Sequence, residues 1–230
     1  MGRIEKAFER RFRDLLAELG ARDREKGLGW IRSRATALSI EGATPSHAYT
    51  AIAIKLLDRT RAFRERQQPR RAVAIPCRVH CDAGLGGLSR WLRAAGCEAF
   101  WRADISDAEL VRETQETGAI LLTTDSFLLD RRPIVRNEIR ALWVPPTLTM
   151  LEQFRYVRAE LNLTETDESR CMCCGGQLIE VDKEKVRDRI PPRTYKWLDE
   201  FFECAQCRQL FWNGTHWRRI SRAVRENAPV

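Results

Sequence analysis

The chain has no apolar run approaching the roughly eighteen residues that a membrane-spanning helix needs. Its opening residues, MGRIEKAFERRFRD, are charged throughout and contain no apolar stretch of the secretory type. A cytoplasmic location, where thiols stay reduced, is therefore expected. Histidine is scarce: His47, His80 and His216 are too scattered to complete a Ser–His–Asp or Cys–His catalytic set. No phosphate-cradling loop is present either, because Gly84-x-Gly86-Gly87 is too short and lacks the lysine of a P-loop. What remains is an ordinary globular composition, 43% hydrophobic and 31% charged over 230 residues, enough for one or two domains with a good core. Eight cysteines in a reducing compartment read as metal ligands and free thiols rather than as disulfides.

The net charge of +8 is unevenly spread. Residues 1–76 hold 17 Lys and Arg against 9 Asp and Glu, whereas residues 77–169 hold 11 against 15 and residues 170–230 hold 12 against 8. Basic flanks favour a polyanion such as nucleic acid, although a solvated surface would look the same. An acidic middle suits a centre that binds hard cations.

Hydrophobic spacing divides the chain. Ile4, Phe8, Phe12, Leu15, Leu16 and Leu19 recur at helical intervals and Gly20 follows as a stop. Residues 21–42 are Gly-rich and irregular, Thr44-Pro45 starts a second helix, and Gln67 to Arg71 reads as a linker. From Arg78 the period changes. Short strand-like runs at Arg78–Cys81, Cys97–Trp101, Ala119–Thr123 and Ile139–Val144 alternate with helical stretches at Leu88–Ala95, Asp107–Thr117 and Thr147–Leu161. Such alternation implies a parallel sheet covered on both faces. Ligands of such sheets gather at the carboxyl ends of the strands, where Asp82 and Asp125 fall.

Cys171-x2-Cys174 and Cys204-x2-Cys207 form two knuckles separated by 29 residues. Four thiolates close a tetrahedral zinc site at about 2.3 Å with no open position, which makes it structural. Cys173 is then a spare thiol, and Cys77, Cys81 and Cys97, lacking paired spacing, read as buried small apolar residues. Tyr195, Trp197, Phe201 and Phe202 supply a small core between the knuckles.

Asp82, Asp104, Asp107, Glu109 and Asp125 are the acidic candidates of the middle segment. Mg²⁺ and Mn²⁺ prefer carboxylate oxygens, and converging aspartates repel one another without a cation. Strand position favours Asp82 and Asp125. Asp107 either caps the second helix or reaches the cluster, and Ser106 competes for the cap.

The run Cys81-Asp82-Ala83-Gly84-Leu85-Gly86-Gly87-Leu88-Ser89-Arg90-Trp91-Leu92-Arg93-Ala94-Ala95-Gly96 closely resembles the opening of the Mut-7 C-terminal RNase domain family. Asp107-Ala108-Glu109-Leu110, Leu121-Leu122-Thr123-Thr124-Asp125, the four cysteines and Trp212-Asn213-Gly214-Thr215-His216-Trp217 follow in that family's order. The resemblance covers about residues 77–220 and implies a PIN-like α/β/α fold and Mg²⁺- or Mn²⁺-dependent RNA cleavage. It also implies Asp82, Asp107 and Asp125 as the acidic metal ligands. Two positions depart from the family: Thr124 stands where it often has Arg, and Gly84 where it often has a small residue or Met. No ubiquitin-like half is carried over to the basic, helical residues 1–72, and His216 is a motif residue best read as packed beside Trp212 and Trp217.

The expected organisation is a basic helical segment (1–72), a PIN-like RNase domain (77–165) and a zinc ribbon (168–222). The expected function is a metal-dependent ribonuclease. Its alternatives are a catalytically silent RNA-binding module and a docking protein that meets a partner through residues 1–72.

Overall fold

The computed structural model describes residues 3–67, 77–161, 163 and 169–214. Three helices come first: α1 (Arg3–Glu18), α2 (Arg24–Ile40) and α3 (Pro45–Gln67). The second occupies the stretch whose glycines suggested irregular structure, which corrects that expectation. Asp23 caps it by accepting the N–H of Lys26, and Leu28, Ile31 and Ala35 are buried along one face at helical spacing. Gly27 is there for packing: a Cβ would come within 2.9 Å of Leu16 of α1.

A four-stranded parallel sheet follows, built from β1 (Arg78–Cys81), β2 (Glu98–Trp101), β3 (Ile120–Thr123) and β4 (Ala141–Trp143) in the order β2-β1-β3-β4. Between them run α4 (Gly86–Ala94), α5 (Asp107–Thr117), the short α6 (Arg132–Val135) and finally α7 (Met150–Leu161). This is the α/β organisation expected from the alternating pattern. The chain moves outward from β1 to β2 and then crosses through α5 to β3 on the other side of β1. The reversal of direction lies between β1 and β3, which is where ligands settle in sheets of this kind.

The two faces are covered separately. Val79, Cys81 and Leu122 pack with Leu88 and Leu92 of α4 and Phe154 and Val157 of α7. On the other face Leu121 packs with Leu110 of α5, Leu128, Ile134 and Ile139. Adjacent Leu121 and Leu122 point to opposite faces, as the pleat requires.

The first three helices share the α7-side core rather than forming one of their own. Phe8, Phe12, Tyr49 and Ile52 belong to the same apolar cluster as the sheet. The Phe8 ring meets Trp143 edge-on at 5.6 Å and Tyr156 at 6.1 Å. The nearly buried Glu160 of α7 takes both of its hydrogen bonds from Arg11 Nε at 2.9 Å, with Arg11 Nη2 at 2.7 Å.

A second, antiparallel sheet of β5 (Leu178–Val181), β6 (Phe201–Cys204) and β7 (Leu210–Trp212) ends the described chain, with α8 (Pro192–Trp197) between β5 and β6. Its core is small: Val186, Ile190, Phe201 and Leu210, joined by Tyr195 and Trp212. Trp197, expected in that core, is instead 76% exposed.

One cysteine expectation is overturned. Cys77 and Cys97 are joined as a disulfide with Cα atoms 4.8 Å apart. They precede β1 and β2, whose register pairs Arg78 with Glu98 and so sets the two cysteines side by side. That adjacency follows from strand pairing, which cysteine spacing does not reveal. Cys81 is a buried free thiol as expected, and burial pushes it up to about 12. The linker around Gln68–Arg71, Thr215, His216 and Trp217 lie outside the described residues.

Candidate functional site

Two centres stand out, one of sulfur and one of oxygen. The sulfur centre is Cys171, Cys174, Cys204 and Cys207, whose Sγ atoms all lie within 4.8 Å of one another. Cys171 and Cys207 approach to 3.6 Å and Cys174 and Cys204 to 3.4 Å. Four thiolates around a tetrahedral zinc ion would stand about 3.8 Å apart, so the set fits that ion closely. Cys173 is exposed and outside the set, as expected for the spare thiol.

The two knuckles repeat one turn. The N–H of Gly175 bonds the Cys171 carbonyl at 2.8 Å, and the N–H of Arg208 bonds the Cys204 carbonyl at 3.0 Å. The donor is left-handed in both, at φ 84° and 61°, a geometry that glycine adopts freely and Arg208 does not. Backbone amides also point at sulfur: Gly176 N at 3.4 Å from Cys174 Sγ, and Gln206 N and Cys207 N at 3.4 and 3.5 Å from Cys204 Sγ. Burial opposes ionisation of Cys204, but those amides, with the neighbouring thiols, bring it down to about 7.

This centre is tied to the parallel sheet through one side chain. Arg93, in the last turn of α4 and only 4% exposed, donates from Nη1 to the carbonyls of Met172 (3.1 Å) and Cys173 (2.8 Å). Its Nε donates to Ala99 of β2 at 2.8 Å. Arg170 N returns a bond to the Arg93 carbonyl at 2.9 Å.

The oxygen centre lies at the carboxyl ends of β1 and β3. Asp82 follows β1 directly and is 8% exposed. Its Oδ2 accepts from the Thr123 hydroxyl at 3.0 Å, the Thr124 hydroxyl at 2.8 Å and the Thr124 N–H. Its Oδ1 is buried with no hydrogen-bond partner. A buried carboxylate oxygen left unpaired is costly, and such an atom calls for a cation, a water or a functional reason. Gly84 lines it: a Cβ there would stand 3.4 Å from Oδ1 and 3.2 Å from the Thr124 hydroxyl.

Asp125 is linked to Asp82 through Thr123. The Thr123 hydroxyl donates to Asp82 and accepts the Asp125 N–H at 3.0 Å. Asp125 Oδ1 in turn accepts the Phe127 N–H at 2.8 Å. From the other side, the Trp143 indole N–H donates to the Thr124 carbonyl at 3.0 Å, and that of Trp101 to the Ala83 carbonyl at 3.1 Å. The residues that hold Asp82 are thus themselves held by tryptophans at the ends of β2 and β4.

The remaining acidic candidates separate by use. Ser106, not Asp107, caps α5: it forms a capping box with Glu109, whose carboxylate accepts the Ser106 hydroxyl at 2.7 Å and N–H at 3.1 Å. Those two bonds hold the Glu109 carboxyl below its ordinary value. Asp107 is exposed in the first turn with its carboxylate outside the cap, and Asp104 is exposed in the preceding turn. Among the described residues, Asp82, Asp107 and Asp125 do not close into a group with metal-centre geometry as the four cysteines do. The pair of threonines and the two indoles are the site residues that sequence reasoning missed. Two hydroxyls immediately before an aspartate at a strand end were the available signal.

Residues 77–224 match the family model described as Mut7-C RNAse domain, and the chain belongs to that family. No curated protein and no solved structure matches it significantly.

Proposed function

From membership of the Mut7-C RNase family, we propose that the protein is a metal-dependent ribonuclease of PIN-like type that hydrolyses RNA phosphodiester bonds at the β1/β3 end of the sheet. The observation that carries this reading is the divided Asp82 carboxylate. Three donors hold Oδ2 in place, while Oδ1 is buried and unpaired beside a glycine that leaves room. A carboxylate prepared in this way is suited to a hard divalent cation.

Asp82, Asp107 and Asp125 are the proposed ligands for Mg²⁺ or Mn²⁺. Such an ion would supply a water of lowered pKa and positive charge to offset that of the attacked phosphate. The chain's own residues orient and restrain. Thr123 and Thr124 fix Asp82, Thr123 also fixes the backbone of Asp125, and Trp143 fixes Thr124. Asp107 reaches the site from the first turn of α5.

The four-cysteine centre is proposed as a structural zinc site, since four thiolates leave no position for a reacting group. Thiolates free to take a metal suit the reducing cytoplasm, the proposed location. No helix among the described residues is long and apolar enough to cross a membrane. The division into residues 1–72, 77–165 and 168–222 follows chemistry, because the first helices share the sheet's core. A partner for residues 1–72 would meet α2, where Trp30 and Ile40 are 57% and 83% exposed.

The test is cleavage of a labelled RNA by purified protein with EDTA and after Mn²⁺ or Zn²⁺ is restored. Cleavage abolished by EDTA and restored by Mn²⁺ but not by Zn²⁺ is expected. Cleavage that persists in EDTA contradicts the metal assignment, and its absence under all conditions leaves the silent RNA-binding module.

A further inference from the structure

The segment that follows Asp125 is built in an unusual way. Phe127, Leu128 and Leu129 form an apolar run, and the two leucines go inward: Leu128 is 2% exposed and Leu129 packs against the same α5-side core. Phe127, the largest of the three, is 65% exposed. Burial of the phenyl would be favoured over burial of a leucine if packing alone set the order. The ring is also positioned, because its own N–H donates to Asp125 Oδ1 at 2.8 Å, which holds it two residues from a proposed metal ligand. The next turn, Leu128–Asp130, leads into α6 with Arg131 and Arg132 exposed beside it. A flat apolar face, a cation-binding carboxylate and guanidinium groups thus follow one another along a single sheet edge, at the β1/β3 reversal.

Resting on the nuclease reading above, we propose that Phe127 is a stacking subsite for one unpaired nucleobase next to the attacked phosphate, and that Arg131 and Arg132 hold the phosphates beyond it. The substrate class is then single-stranded RNA. A base stacks on an exposed ring only when it is out of the duplex, and ring stacking tolerates any base. Phosphates in the same strand pair with arginine forks. Phe127 is a binding residue here, with no part in bond cleavage.

The experiment is steady-state cleavage, with Mn²⁺, of a labelled single-stranded oligoribonucleotide by wild type, Phe127→Ala, Phe127→Leu and Phe127→Trp. Phe127→Ala should raise KM roughly five- to hundredfold while kcat changes little. Phe127→Trp should retain or lower the wild-type KM, and Phe127→Leu should resemble Phe127→Ala. One abasic nucleotide scanned along the oligomer should, at one position, cost wild type the same factor and cost Phe127→Ala nothing. Melting temperatures of the variants should match wild type, since the ring is exposed; if Phe127→Ala melts lower, the Leu and Trp variants decide the question. The stacking subsite is overturned if Phe127→Leu keeps the wild-type KM, if Phe127→Ala does, or if duplex RNA is cleaved as well as single-stranded RNA. When wild type cleaves and Phe127→Ala cleaves equally, only the subsite falls. A wild type that cleaves no RNA removes the nuclease reading and the subsite with it.

Discussion

The cysteine centre and the aspartate centre both gather cation-binding atoms, and they are completed in opposite ways. The cysteines converge by themselves: two copies of one turn bring four sulfurs within 4.8 Å, with backbone amides already aimed at them. Nothing is left open. At the sheet edge one carboxylate oxygen has three donors and its twin has none, and Asp107 stands apart in the first turn of α5. A site that must exchange water and substrate is held rigid on one side and left incomplete on the other. The difference teaches that a metal centre's role can be read from how much of its coordination the chain itself supplies.

The strongest way to break this contrast is to open the closed centre. Cys204→Ser should remove bound zinc and unfold the antiparallel sheet, because zinc binding in small sites contributes on the order of 10 kcal/mol to folding. Zinc content together with amide exchange of residues 170–214 reads this directly, and any loss of cleavage should accompany the unfolding. A folded, zinc-loaded Cys204→Ser that has lost cleavage would make the cysteines part of the reaction.

A smaller perturbation tests the link between the centres. Arg93→Met keeps the apolar stem but leaves the carbonyls of Ala99, Met172 and Cys173 without their donor. A loss of about 3 kcal/mol is expected, seen as a lower melting temperature and faster amide exchange in the Cys171–Cys174 knuckle. Unchanged exchange there would mean that the cysteine sheet holds its place without this contact.

The smallest effect is on the oxygen centre. Trp143→Phe keeps the ring that meets Phe8 and removes only the N–H that holds the Thr124 carbonyl. A cost of about 1 kcal/mol, or about fivefold, is expected. It should appear as a higher Mn²⁺ concentration for half-maximal cleavage, recovered at saturating Mn²⁺. A change in kcat alone would place Trp143 in a different role.

The two centres also differed in how far the sequence revealed them. Cysteine spacing is a local signal, and it identified all four ligands and left Cys173 aside. Apolar alternation located the four strands of the parallel sheet, because a strand covered on both faces must be apolar along its length. Asp82 and Asp125 were placed at strand ends by the same pattern. What failed was anything that depended on neighbours distant in sequence. The Cys77–Cys97 bond follows from strand register, and the support of Asp82 by Thr124 and Trp143 spans the sheet. Helix α2 was missed for a local reason: Gly27 and Gly29 lower helix propensity, while the tertiary contact with Leu16 that requires Gly27 is invisible in one dimension.

The most direct test of the central claim is the rate of RNA cleavage by wild type and Asp82→Asn side by side at saturating Mn²⁺, with circular dichroism confirming that both are folded. Changing a residue that only supports a metal ligand typically costs ten- to hundredfold, so losing the ligand itself should slow cleavage by at least about a hundredfold. Asp82→Asn cleaving RNA as fast as wild type would contradict the assignment of the β1/β3 edge as the catalytic centre.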